Sequence, residues 1–100
     1  MALIRTTRFT ADPADAGTML ERRRKLLEAV RAAFAGPVET RLIRVDERTW
    51  VDIWRWDSHE SLRAALGGAP RLPEAAAAFA LARDISAEQG DVVEEDAWDR

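Results

Sequence analysis

The stretch "TWVDIWRW", residues 49 to 56, is apolar on both of its faces: Val51 and Ile53 alternate with Trp50, Trp54 and Trp56. Successive side chains of a strand point to opposite sides, so this pattern describes a strand covered twice. Helices of a small domain can cover one face of an antiparallel sheet. The second face then needs another cover, and a two-fold dimer packing sheet against sheet is economical because one patch serves both subunits. A homodimer is therefore the expected partner state. With 100 residues, the chain is read as a single domain, 1–100, with little spare stability for a large internal pocket.

The rest of the chain supplies a sheet for that strand. Residues 2 to 9, "ALIRTTRF", alternate as a strand, with Leu3, Arg5, Thr7 and Phe9 sharing one face. The period then changes. Met19, Leu20, Arg23, Leu26, Leu27, Val30, Ala33 and Phe34 recur at helical spacing, with Asp12 as N-cap, Pro13 at the first helical position and Gly36-Pro37 as the stop. "VETRLIRV", residues 38 to 45, and the strand at 49 to 56 are joined by a short turn as a hairpin. Asp57 with Glu60 three places on reads as a capping box, opening a short helix that ends at Gly67 and Gly68. A third helix is expected from Pro73 through the alanine-rich "EAAAAFALARD", and a last strand at "DVVEEDAW", residues 91 to 98. Strand, helix, two strands, helices, strand is the α+β, ferredoxin-like split βαβ arrangement: a four-stranded antiparallel sheet with its helices on one face.

Charge and composition exclude several functions. The net charge is −3, with 10 basic and 7 acidic side chains in residues 1 to 50 against 5 and 11 in residues 51 to 100, which does not suit a nucleic-acid binder. The run "ERRRK", residues 21 to 25, is read as a solvated helix face with Arg23 flanking the apolar stripe. There is no cysteine and only one histidine, His59, so thiolate chemistry and multi-histidine metal sites are excluded. "MALIRTTRF" has an arginine by position 5 and no long apolar run, which argues against a signal peptide or membrane span and leaves the cytoplasm as the expected compartment.

Chemistry concentrates around Asp52. A carboxylate between Trp50 and Trp54 on one strand face must reach water, pair with a base or line a polar cavity, because burying it alone is costly. Arg5 on the first strand is the expected partner, with Arg41 and Arg44 as alternatives. Aromatic clusters in a strand are more often core packing than a ligand platform, so the tryptophans read first as core and second as the wall of a ligand site. His59, in the first turn of a helix, is a weaker candidate for ligand contact.

In its order of elements, and in "WDSHES", where Trp56 closes a strand before an acid, a serine and a charged helical residue, the chain resembles the antibiotic biosynthesis monooxygenase group of the dimeric α+β barrel superfamily. The resemblance implies a dimer and oxygenation of a small aromatic or polyphenolic compound with no cofactor. In the cofactor-free oxygenases of this group an asparagine four places before the tryptophan shares the cavity with it. The matching positions here are Asp52 and Trp56, so the amide has become a carboxylate. These two would be catalytic, with Trp50, Trp54, Arg5 and His59 contacting substrate. A tyrosine used by some of those enzymes would fall near Leu62, and this chain has none. Haem-degrading relatives place a histidine where this chain has "PRLPEAAAAFALAR", which argues against haem. Three alternatives stay open: a ligand-binding module without turnover, a cyclase or isomerase using Asp52 and an arginine, and a structural dimer, which would have no cavity beside Asp52. Trp98 is expected against the partner subunit.

Overall fold

The computed structural model describes residues 2–96. Strand β1 (Leu3–Thr10) leads through a 3-10 turn, Pro13–Asp15, into helix α1 (Ala16–Ala33). As the sequence suggests, the Asp12 side chain accepts from Ala14 N at 2.9 Å, with Pro13 starting the turn. Helix α1 closes where Phe34 N donates to Val30 O at 2.8 Å, and the chain reverses at Gly36. Gly36 has φ +107°, and a Cβ there would collide with the Ser61 side chain, so only glycine fits both the backbone and the space. Its carbonyl accepts from Asp57 N at 2.9 Å, tying the end of α1 to the exit of the central hairpin.

Strands β2 (Pro37–Arg44) and β3 (Thr49–Trp56) form that hairpin, followed by α2 (His59–Gly68), a 3-10 turn at Ala69–Arg71, α3 (Pro73–Phe79) and β4 (Arg83–Asp91). The sheet order is β2-β3-β1-β4, antiparallel throughout, which is the expected ferredoxin-like α+β fold. Leu3, Arg5, Thr7 and Phe9 face Trp56, Trp54, Asp52 and Trp50 across the β1–β3 register. All eight lie on the helix-covered side. The other side carries Ile4, Val51 and Ile53, partly exposed, and Ile43, which is exposed.

The core is divided in two. Leu3, Val30, Trp56, Leu62 and Ala65 pack at one end of the sheet, and Phe9, Ala11, Met19 and Trp50 at the other.

Three expectations are corrected. The last strand is Arg83–Asp91, eight residues earlier than Val92, Val93 and their neighbours suggest, and residues 92–96 carry no regular structure. As an edge strand with every residue exposed, β4 is held by its backbone ladder to β1 and needs little apolar patterning. Helix α3 stops at Phe79, because the chain must turn to reach β4, and Asp84 takes φ +51° there. The cap of α2 is Ser58, whose Oγ accepts from Ser61 N at 3.1 Å, and not Asp57. The Trp98 expectation lies outside the described residues.

Candidate functional site

Between the two core clusters, sheet and helices separate around a cavity of about 540 Å³, in the usual range for a small-molecule site. Its floor is β1, β3 and β4, and its roof is formed by all three helices. The roof stands off because α3 presents alanines: Ala75, Ala76 and Ala78 line the cavity where larger side chains would fill it. Leu66, Phe79 and Ile85 line it as well and are about half exposed, so its mouth is apolar.

Asp52 faces this cavity, not the opposite side of the sheet. Its partner is Arg23 of α1, which donates through Nε to Oδ2 at 3.0 Å and through Nη2 to Oδ1 at 2.9 Å. This fork-to-fork geometry is the strong form of the arginine–carboxylate pair. The side chains are 17% and 16% exposed, so both charges are largely withdrawn from water and each compensates the other. Arg5, Arg41 and Arg44 do not take this role. Arg5 lines the cavity but donates to Gln89 Oε1 at 2.8 Å, Arg41 pairs with Glu39, and Arg44 lies over the Trp50 ring with 4.9 Å to its centroid. Arg23 was readable in principle, being an arginine within the stripe Met19, Arg23, Leu26, Val30 that points a helix at its sheet. Its partner is the one carboxylate within the aromatic strand.

The tryptophans divide. Trp54 and Trp56 line the cavity and stack with ring centroids 5.9 Å apart and planes 14° from parallel. Trp56 is 4% exposed, and its indole Nε1 has no hydrogen-bond partner among the described residues. A buried N–H left unpaired is costly, and beside a cavity it is a donor that a bound molecule could satisfy. Trp50 instead is buried in the far cluster against Phe9, Ala11 and Met19 and serves packing. His59 begins α2 in an exposed position outside the cavity, with Nε2 2.5 Å from Asp91 Oδ1. Of the six side chains singled out in the sequence, the fold thus brings Arg5, Asp52, Trp54 and Trp56 together and leaves Trp50 and His59 apart. The cavity beside Asp52 counts against a structural dimer with a filled core.

No protein-family model matches the chain, and no curated protein matches it by sequence. Solved structures do match in fold. A cofactor-independent oxygenase from Streptomyces nogalater, SnoaB, superposes with a TM-score of 0.75 at 24% identity, covering 94% of this chain and 95% of that one. An antibiotic biosynthesis monooxygenase matches with a TM-score of 0.67 at 20% identity, over 92% of this chain and 99% of the other. A dimeric ferredoxin-like protein from an uncultured marine organism matches with a TM-score of 0.75 at 15% identity, over 98% and 93%. This chain therefore shares its fold, over nearly its whole length, with antibiotic biosynthesis monooxygenase-like proteins. No helix of the described residues is long and apolar enough to cross a membrane.

Proposed function

We propose that the protein binds a small polyphenolic compound in this cavity and oxygenates it without a cofactor. The observation that carries the reading is one ion pair, Arg23–Asp52, set into the wall of a mostly apolar cavity beside two stacked indoles. A flat, electron-rich ring system suits those indole walls. Each Asp52 oxygen keeps a lone pair beyond the one that Arg23 uses, so Asp52 can take a proton from a ring carbon flanked by phenolic rings. The guanidinium stabilises the resulting enolate. That anion donates electrons to dioxygen and forms a C–O bond. The hydroperoxide, reprotonated from Asp52, loses water to leave a ketone, so that one CH₂ and one O₂ become one C=O and one H₂O.

The outer face of the sheet supports a second element of the reading. Ile43 is 45% exposed there, beside partly exposed Ile4, Val51 and Ile53, and a similar fold is dimeric. A second copy of the chain on that face would cover this apolar patch and satisfy the two-sided pattern of β3.

Binding without turnover is the competing reading, favoured by the bidentate hold of Arg23 on both Asp52 oxygens, which a purely positional carboxylate would also show. Tryptophan fluorescence, titrated with hydroxylated polycyclic aromatics and paired with oxygen uptake, separates the two. Saturable quenching with oxygen consumption that falls at least about a hundredfold in Asp52→Asn is expected, the lower end of the range for a general base. The same preparation should sediment at twice the 11.2 kDa chain mass. Quenching without oxygen uptake would leave a binding module or a cyclase, and no quenching by any compound would remove the ligand site altogether.

A further inference from the structure

The cavity's charges do not balance. Two guanidinium groups, Arg5 and Arg23, reach its surface against one carboxylate, Asp52, although the whole chain carries a net charge of −3. Arg23 engages both oxygens of Asp52, at 3.0 and 2.9 Å, which neutralises that pair. Arg5 is left with a neutral partner, Gln89, one strand away in the β1–β4 register. A guanidinium offers five N–H donors, and Gln89 uses one of them.

We infer that the aromatic compound bound here carries a carboxylate, received by Arg5. The inference rests on the reading of the cavity as a ligand site and names the chemical class of what fills it. A neutral ring would displace water from around Arg5 and give its charge nothing in return. A carboxylate meets the guanidinium with two parallel charge-assisted hydrogen bonds, and the apolar walls strengthen the attraction relative to water. The register also orients the ligand. Trp54 is the direct cross-strand neighbour of Arg5, and Asp52 lies one pleat further along β3, about 7 Å on. A carboxylate at Arg5 therefore sets the attached ring against Trp54 and carries the far side of a fused ring system toward Asp52. Arg5 is in this sense a positioning and selecting residue, while Asp52 meets the reacting carbon.

The test is calorimetric titration of the 100-residue chain with a matched pair, 2-naphthoate and 2-naphthol, repeated on Arg5→Gln and Arg5→Lys after melting curves confirm that both fold. The wild type should bind the carboxylate at least about tenfold more tightly, equivalent to roughly 1.4 kcal/mol. Arg5→Gln should bring the two ligands to parity by weakening naphthoate alone. Arg5→Lys, which keeps the charge and loses the fork, should retain part of the preference. Equal affinities in the wild type, or a preference that survives Arg5→Gln, would overturn the inference while leaving the aromatic site intact. If neither compound binds, the ligand-site reading fails and the inference with it.

Discussion

At one end of the sheet Leu3, Val30, Trp56, Leu62 and Ala65 meet from two strands and two helices, whereas at the other Phe9, Ala11, Met19 and Trp50 are covered by only the first turns of α1 and by connecting segments. The first end is closed by side chains that interlock between layers. The second depends more on local hydrogen bonds, among them Ala11 N to Arg48 O at 2.8 Å and the Thr10 hydroxyl to Asp84 Oδ2 at 3.1 Å. Between the two lies the cavity with its ion pair. A 100-residue chain can hold open such a space because the two ends carry separate cores, and one of them is tight. Leu62, 2% exposed, is the most direct point at which to break the tight end. Leu62→Ala should cost about 2–5 kcal/mol in urea denaturation, the usual range for a buried leucine, because α1 and β3 hold their positions around the hole. A cost under about 1 kcal/mol would mean that this end collapses readily and that the contrast between the ends is not one of packing.

The middle obeys a different rule. Removing Arg23 strands Asp52 in a wall where no other cation of the described residues reaches its oxygens. Arg23→Leu should cost about 1–3 kcal/mol, less than the loss expected for a fully buried pair because both groups keep some contact with water. Replacing both residues by leucine should recover most of that loss, since the pair owes its stability to mutual compensation rather than to a net gain over apolar packing. A double variant as unstable as the single one would show that the arginine matters through its aliphatic stem in the cavity wall instead.

Much of this was legible from the residues. Strand alternation in β1 and β3, the Asp12–Pro13 start of the 3-10 turn that leads into α1 and the Gly36 stop are local signals, and local geometry honours them. What misled the reading was apolar content taken as a strand signal. Val92, Val93 and Trp98 look more strand-like than "RDISAEQGD", yet β1 selects the latter because an edge strand is specified by pairing, with Ile85 and Ala87 its only apolar contributions to the cavity. Helix α3 ended early for a related reason: the alanines at 75–78 and 80 favour helix, but chain reversal toward β4 outweighs propensity. At the site, which side of the sheet Asp52 faces did not follow, β3 being apolar on both, but its sharing a face with Trp54 and Trp56 followed from strand period. Its partner did not, because whether Arg5 or Arg23 reaches it depends on how close α1 lies to the sheet. The cavity was the least legible feature, since its volume depends on how far an alanine-lined helix stands away.

The hairpin turn offers the smallest test and sharpens the account of the looser end. Asp46 Oδ1 accepts from Arg48 N at 2.9 Å and from Thr49 N at 2.8 Å, the Asx geometry that a turn of this kind favours. The backbone N–H of Arg48, with further help from Thr49, favours the ionised form and holds the carboxyl below its ordinary value of 3.8. A group depressed in the folded state adds stability above its unfolded pKa and loses it as pH falls through the folded value. Asp46→Asn keeps an acceptor in the turn but has no charge to lose. The midpoint of thermal unfolding should therefore be slightly lower in the variant at pH 7, and the gap should close in acid once the wild-type carboxyl is protonated. Turn fraying should show in hydrogen exchange at Arg48 and Thr49 before any loss at Leu62, because those amides depend on one side chain while the opposite end depends on many. Equal protection of both regions in the variant would mean that the turn is held by the β2–β3 ladder and by Arg44 against Trp50, and that the looser end is tighter than its hydrogen bonds suggest.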